Sequence, residues 1–76
     1  MATIELRLFA SLAAKTPPEA HSFRIEPGIS VAHLLDQLQV SPKDAKLIFI
    51  NGERCNLSTC LKGGERVGIF PPVGGG

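Results

Sequence analysis

The 76-residue chain contains no tryptophan and no tyrosine; its aromatic content is four phenylalanines. Single-stranded nucleic acid is held largely by stacking its bases on aromatic rings, so any such platform would have to come from Phe alone. A basic surplus is missing as well, since eight Lys and Arg face seven Asp and Glu. That balance leaves little to neutralise a run of phosphates, and no nucleic-acid partner is expected. The longest apolar runs, around Phe9-Ala10 and from Leu47 to Ile50, fall far short of the roughly 20 residues that cross a bilayer. No membrane association is expected either. The opening Met1-Ala2-Thr3-Ile4-Glu5-Leu6-Arg7 carries charges where an export leader is continuously apolar. Cysteine is scarce too: Cys55 and Cys60 are too few for the framework of a small secreted scaffold. A cytoplasmic location is the expectation.

Length adds a further exclusion. A chain this short buries only about 60% of the surface its unfolded form exposes. One sheet and one or two helices fit, but not a closed nucleotide pocket together with a catalytic constellation. The expectation is a non-catalytic protein that works through partners.

Along the chain, residues 3–9 alternate, with Ile4, Leu6 and Leu8 on one side and Glu5 and Arg7 on the other. Period two marks a half-buried strand, and Phe9 falls on its polar side. Residues 10–14 are helix-compatible until Thr16-Pro17-Pro18 stops them. A second alternating segment, residues 22–26, points Phe23 and Ile25 inward and ends at Pro27-Gly28. Ser30 is a good N-cap for a helix with Val31, Leu34, Leu35 and Leu38 on one stripe, closed by Val40 and Ser41-Pro42. Residues 46–50 form a strand apolar on both faces. Asn51-Gly52 is a strong hairpin signal returning through residues 53–55. Residues 56–61 read as an irregular turn or one helical turn, Lys62-Gly63-Gly64 as another turn, and residues 65–70 as a last strand with Val67 and Ile69 inward. Strands on both sides of a single main helix predict an α+β layer. Its compact form is a ubiquitin-like β-grasp, a mixed sheet of four to five strands with the helix on one face. Residues 1–70 make that domain, and residues 71–76 remain as a flexible tail.

The tail is Pro71-Pro72-Val73-Gly74-Gly75-Gly76. Glycine loses the most entropy when ordered, so a frayed end is the plain reading. Pro71-Pro72 nonetheless stiffens the exit from the last strand toward polyproline II. Six extended residues reach roughly 20 Å. A segment without side chains on such a stalk fits a narrow channel in another protein, where it presents the carboxylate of Gly76.

With Gly64-Glu65-Arg66-Val67-Gly68-Ile69-Phe70-Pro71-Pro72-Val73 leading to Gly75-Gly76, the chain resembles the MoaD/ThiS family of sulfur carrier proteins. The likeness also takes in Phe9-Ala10, Val31 with Leu34-Leu35, and Ile50-Asn51-Gly52-Glu53. The resemblance implies that Gly76 is adenylated by an E1-like enzyme of MoeB/ThiF type that uses ATP, and then becomes a thiocarboxylate. Gly74 and Gly75 would give access, and no cofactor would be bound by the chain itself. Phe70-Pro71-Pro72-Val73, and the long segment between the first two strands, are similar to the MoaD branch. Its members are small subunits of molybdopterin synthase, serving the molybdenum or tungsten cofactor beside a MoaE-type large subunit. Gly74 departs from that branch, where another small residue is common. A thiamine-pathway carrier serving thiazole synthase, and a ubiquitin-like modifier joined to lysines, are the alternatives.

Phe9 and Phe70, with either Leu47 and Phe49 or Ile48 and Ile50, are expected to form an apolar patch beside the tail. With Pro71, Pro72 and Val73 they make a candidate partner interface. Cys55 and Cys60, five apart with no nearby histidine, read as plain thiols, so no metal site is expected. His21 and His33 have no acid or nucleophile at a recognisable spacing.

Overall fold

The computed structural model describes residues 2–72. Seven strands and one α-helix follow in the order β1 (Ala2–Leu8), β2 (Phe23–Ile25), β3 (Ile29–Ser30), α1 (Val31–Leu38), β4 (Leu47–Ile50), β5 (Glu53–Cys55), β6 (Cys60–Leu61) and β7 (Arg66–Phe70). Two 3-10 segments, Ala10–Lys15 and Ala20–Ser22, carry the chain from β1 to β2. Five strands form one mixed sheet in the order β2-β1-β7-β4-β5, and β3 pairs with β6 in a small second ladder. β1 and β7 run parallel at its centre, Glu5 opposite Arg66 and Leu8 opposite Ile69. The other neighbours in both sheets are antiparallel. This is the β-grasp expected from the strand and helix order, with five strands in the main sheet and the one main helix.

Alternation sets the two faces. Ile4, Leu6, Leu8, Ile25, Ile48, Ile50, Val67 and Ile69 are buried together with Val31, Leu34, Leu35 and Leu38 of α1. One face of the sheet and one stripe of the helix thus enclose the core. Ser30 caps α1 by accepting a hydrogen bond from the His33 amide at 3.1 Å. The helix stops at Leu38, two residues before Val40, because Gln39 adopts the left-handed conformation at φ 59°. Its amide donates to the Asp36 and Leu35 carbonyls, closing the last turn.

Residues 56–61 differ from the expectation of an irregular or helical turn. Asn56 Oδ1 accepts from the Ser58 amide and hydroxyl at 3.0 and 2.7 Å, folding a tight side-chain turn. Cys60 and Leu61 then become β6, and Leu61 is fully buried. The physical reason is the helix start, whose first amides lack partners within the helix. The Thr59 carbonyl accepts from the Val31 amide at 2.8 Å, and the Leu57 carbonyl from Ala32 at 3.0 Å. A long-range need of the backbone decides this segment.

Candidate functional site

The sheet face opposite α1 holds what the sequence marked out around the tail. On β1, Thr3 and Arg7 are exposed and Glu5 partly so. On β7, Arg66 is exposed and Gly68 and Phe70 are half-buried. Antiparallel pairing sets Leu47 opposite Phe70 and Phe49 opposite Gly68. That register settles the outward pair on β4: Leu47 and Phe49 face out, whereas Ile48 and Ile50 are buried.

Three of the four phenylalanines meet on this face. The rings of Phe9 and Phe70 stack with centroids 4.2 Å apart and planes within 2°. Phe49 approaches Phe70 edge-on at 5.7 Å and 83°, the other favourable arrangement of two aromatic quadrupoles. Gly68 lies beside the stack, where an added Cβ would sit 3.5 Å from Phe9 and 3.9 Å from Phe70. A shallow depression opens over Gly68, bordered by Arg7, Phe49, Arg66 and Val67.

Backbone bonds hold the strand end that leads to the tail. The Phe9 amide donates to the Ile69 carbonyl at 3.1 Å and the Lys46 amide to the Phe70 carbonyl at 2.9 Å. Pro71 is buried and Pro72 exposed. Phe9 and Phe70 therefore meet at the end of the outward face from which Pro71 and Pro72 continue the chain. Val73, Gly74, Gly75 and Gly76 lie outside the described residues.

Two turns at the far end of β7 fix its register. Asn51 and Gly52 take φ of 53° and 85°, as a two-residue hairpin turn requires. Asn51 then exchanges backbone and side-chain bonds with Arg66: its amide donates to the Arg66 carbonyl at 2.8 Å, and its Oδ1 accepts from the Arg66 amide at 2.9 Å. In the preceding turn the Glu65 carboxylate accepts from the amides of Lys62 and Gly63 at 2.8 and 2.7 Å. Partial burial pushes the Glu65 carboxyl pKa up. The amides of Lys62, Gly63 and Glu65 and the Lys62 charge together outweigh it, holding the group below its ordinary value.

Cys55 and Cys60 are free, the first half-buried and the second exposed. Both histidines are exposed. Among the described residues no group of three His, Cys, Asp or Glu is placed to hold a metal ion. Among the described residues no helix is long and apolar enough to cross a membrane.

Sequence reading missed the part played by Gly68 and the arginines of this face. Alternation places Arg66, Gly68 and Phe70 on the side away from Val67 and Ile69, but their neighbours come from the register of three other strands.

Comparison with known proteins adds to the geometry. The model of the ThiS family matches residues 6–76. No curated protein sequence gives a significant match. Among solved structures, two crystal structures of small archaeal modifier protein 1 from Haloferax volcanii are similar, both at 23% identity. One, with a TM-score of 0.68, covers 99% of this chain and 100% of its own. The other, with a TM-score of 0.73, covers 96% and 100%. A Pyrococcus furiosus protein assigned as molybdopterin converting factor, subunit 1, is similar at 21% identity, with a TM-score of 0.70 over 96% of this chain and 100% of that one. At these identities the structures show the shared fold.

Proposed function

The chain belongs to the ThiS family, and from that premise we propose that it is a sulfur carrier whose reacting group is the carboxylate of Gly76. Small proteins of the MoaD/ThiS type are carriers rather than catalysts, and they work with E1-like enzymes and partner synthase subunits. The observation that carries the reading is the junction at the end of β7. There a backbone-anchored strand, an aromatic cluster and Pro71-Pro72 lead into three glycines.

A carboxylate anion is a poor electrophile, so the chemistry needs activation by a partner. The Gly76 carboxylate oxygen attacks the α-phosphorus of ATP on an E1-like enzyme, and pyrophosphate leaves. A sulfur nucleophile then attacks the acyl carbon of the mixed anhydride, the carbon–oxygen bond to the phosphate breaks, and AMP leaves with its electron pair. Hydrosulfide gives the thiocarboxylate directly; a persulfide donor gives an acyl disulfide, whose donor-side sulfur is then attacked by a thiol, so that the thiocarboxylate leaves and the donor and thiol are joined as a disulfide. Glycine at 74, 75 and 76 places no side chain in the way of either step.

The client proposed is the molybdopterin pathway, with the chain as small subunit beside a MoaE-type large subunit that holds the pterin precursor. Phe70-Pro71-Pro72-Val73 and the structural likeness to the Pyrococcus furiosus protein support it. The family match itself keeps thiazole synthesis as a second client. Likeness to small archaeal modifier protein 1 supports a further reading, conjugation of Gly76 to lysines of other proteins.

Intact mass spectrometry separates these. Incubation with an E1-like enzyme, ATP and a sulfur donor should exchange one C-terminal oxygen for sulfur, and deletion of Gly76 should abolish it. No exchange, under conditions that charge a control carrier, overturns the carrier reading. Conjugation would appear instead as adducts on lysines of other proteins. Co-purification with a MoaE-type subunit or with thiazole synthase then distinguishes the two clients.

A further inference from the structure

The near-neutral formal charge of the chain, +1, conceals a strong segregation. The sequence contains four arginines, Arg7, Arg24, Arg54 and Arg66, and strand register turns all of them to the face opposite α1. Arg24 pairs with outward Thr3, and Arg66 with outward Glu5. Arg7 lies opposite Gly68, Gly68 opposite Phe49, and Phe49 opposite Arg54. The sole acid at the outward strand positions is Glu5, whose carboxylate lies 3.6 Å from Arg7. Arg7 nevertheless keeps 68% of its side chain exposed. No described carboxylate lies within ion-pairing distance of Arg24, Arg54 or Arg66.

We infer that this face docks an acidic-rimmed apolar protein surface, with partner carboxylates bound at Arg7, Arg66 and Arg54 around an apolar contact at Gly68, Phe49 and Phe70. The proposal deepens the carrier reading and rests on it only for the partner's identity, the enzyme that activates the tail. Across the sheet, Arg7, Gly68, Phe49 and Arg54 form one row. At about 4.8 Å per strand its two guanidiniums start roughly 14 Å apart. Next to it, toward the tail, runs the apolar row Phe9, Phe70 and Leu47. A partner holding the tail therefore meets the aromatic cluster first and the arginines immediately behind it.

Arginine forks match carboxylates in two-point geometry. A polyanionic strand is the poorer fit, because Phe9 and Phe70 already cover one face of each other at 4.2 Å, which halves the ring surface open to bases. The lysines a phosphate backbone would also use lie elsewhere: Lys15 Nζ donates to the Gln39 carbonyl, and Lys43, Lys46 and Lys62 sit outside the strands.

The test measures association of the purified chain with its E1-like enzyme as sodium chloride is raised. Wild-type association should weaken with salt, and Arg7→Glu with Arg66→Glu should lower the on-rate about ten-fold or more. Lys43→Glu, off the face, should leave it unchanged, and circular dichroism checks that each variant is folded. Salt-independent binding, or an Arg7/Arg66 variant that associates and exchanges sulfur normally, overturns the docking proposal while the carrier reading stands.

A titration of the ¹⁵N-labelled chain tests the face without the enzyme. An alternating Leu–Glu peptide should shift the amides of Arg7, Gly68 and Phe70. Shifts confined to other surfaces, or tighter binding of an oligouridine than of the peptide at that face, overturn the proposal. If sulfur exchange fails while the peptide shifts those amides, the carrier reading falls and the face assignment holds.

Discussion

Replacing Phe70 with alanine separates the structural work of the aromatic cluster from its work in docking. The ring is half-buried, stacked on Phe9 at 4.2 Å and edge-on to Phe49 at 5.7 Å. Full burial of such a side chain contributes about 1.5–3 kcal/mol, so half-burial contributes about 1 kcal/mol. The stacked and edge contacts add about 1 kcal/mol between them. A loss of about 2 kcal/mol leaves a small domain folded and lowers Tm by roughly 10 °C. Far-UV circular dichroism with urea is the assay, since the chain has neither Trp nor Tyr as a fluorescent reporter. A double-mutant cycle with Phe9→Ala should return a coupling of about 0.5 kcal/mol, the stacked pair's share. Coupling near zero would show that the two rings do not stack in solution, and the docking face would lose its centre. In folded Phe70→Ala, sulfur exchange should fall through weaker partner binding and recover at high enzyme concentration. A variant that exchanges at the wild-type rate across all enzyme concentrations would refute the role given to the ring.

Three further outcomes follow from the turn that precedes β7. Gly63→Ala should destabilise the fold by about 2 kcal/mol or more, since its φ is 127° and a Cβ would meet that of Ala2 at 2.6 Å. Gly64→Ala, with φ 84° and open space around it, should lose only about 1 kcal/mol in the same urea titration. Glu65 has a folded-state pKa below its ordinary value of 4.5, so its stabilisation is present above that value and is lost as pH falls through the lowered one. Glu65→Gln should be less stable than wild type at neutral pH, and the gap should close on acidification; a gap constant with pH would refute the sign.

Local chemistry made much of the fold legible. Alternation at Ile4, Leu6 and Leu8 marked β1, Ser30 marked the start of α1, and Asn51-Gly52 marked a hairpin turn that the structure realises with positive φ at both residues. What stayed hidden depends on partners distant in sequence. The outward side of β4 follows from Leu47 pairing with Phe70, because residues 47–50 are apolar on both sides and have no period to read. β6 exists because the carbonyls of Leu57 and Thr59 serve the first amides of α1 and Cys60 pairs with Ser30. The arginine face was least legible, since net charge averages over surfaces and only the register of five strands brings Arg7, Arg24, Arg54 and Arg66 to one side. The Pro-Pro-Val-Gly-Gly-Gly segment was plain by composition alone. Its last four residues lie outside the described structure.

The parallel pairing of β1 with β7 has a consequence for biosynthesis. A ribosome releases β1 first and its central neighbour last, and until Arg66–Phe70 is free the middle of the sheet has no strand to fill it. Contacts of such long sequence separation close late, so the incomplete chain presents two half-sheets rather than a folded intermediate. The Phe9–Phe70 stack joins residues from those same two strand ends. A partner that reads the stack reads a contact made only when the sheet has closed, and an unfinished or unfolded chain offers it nothing to bind.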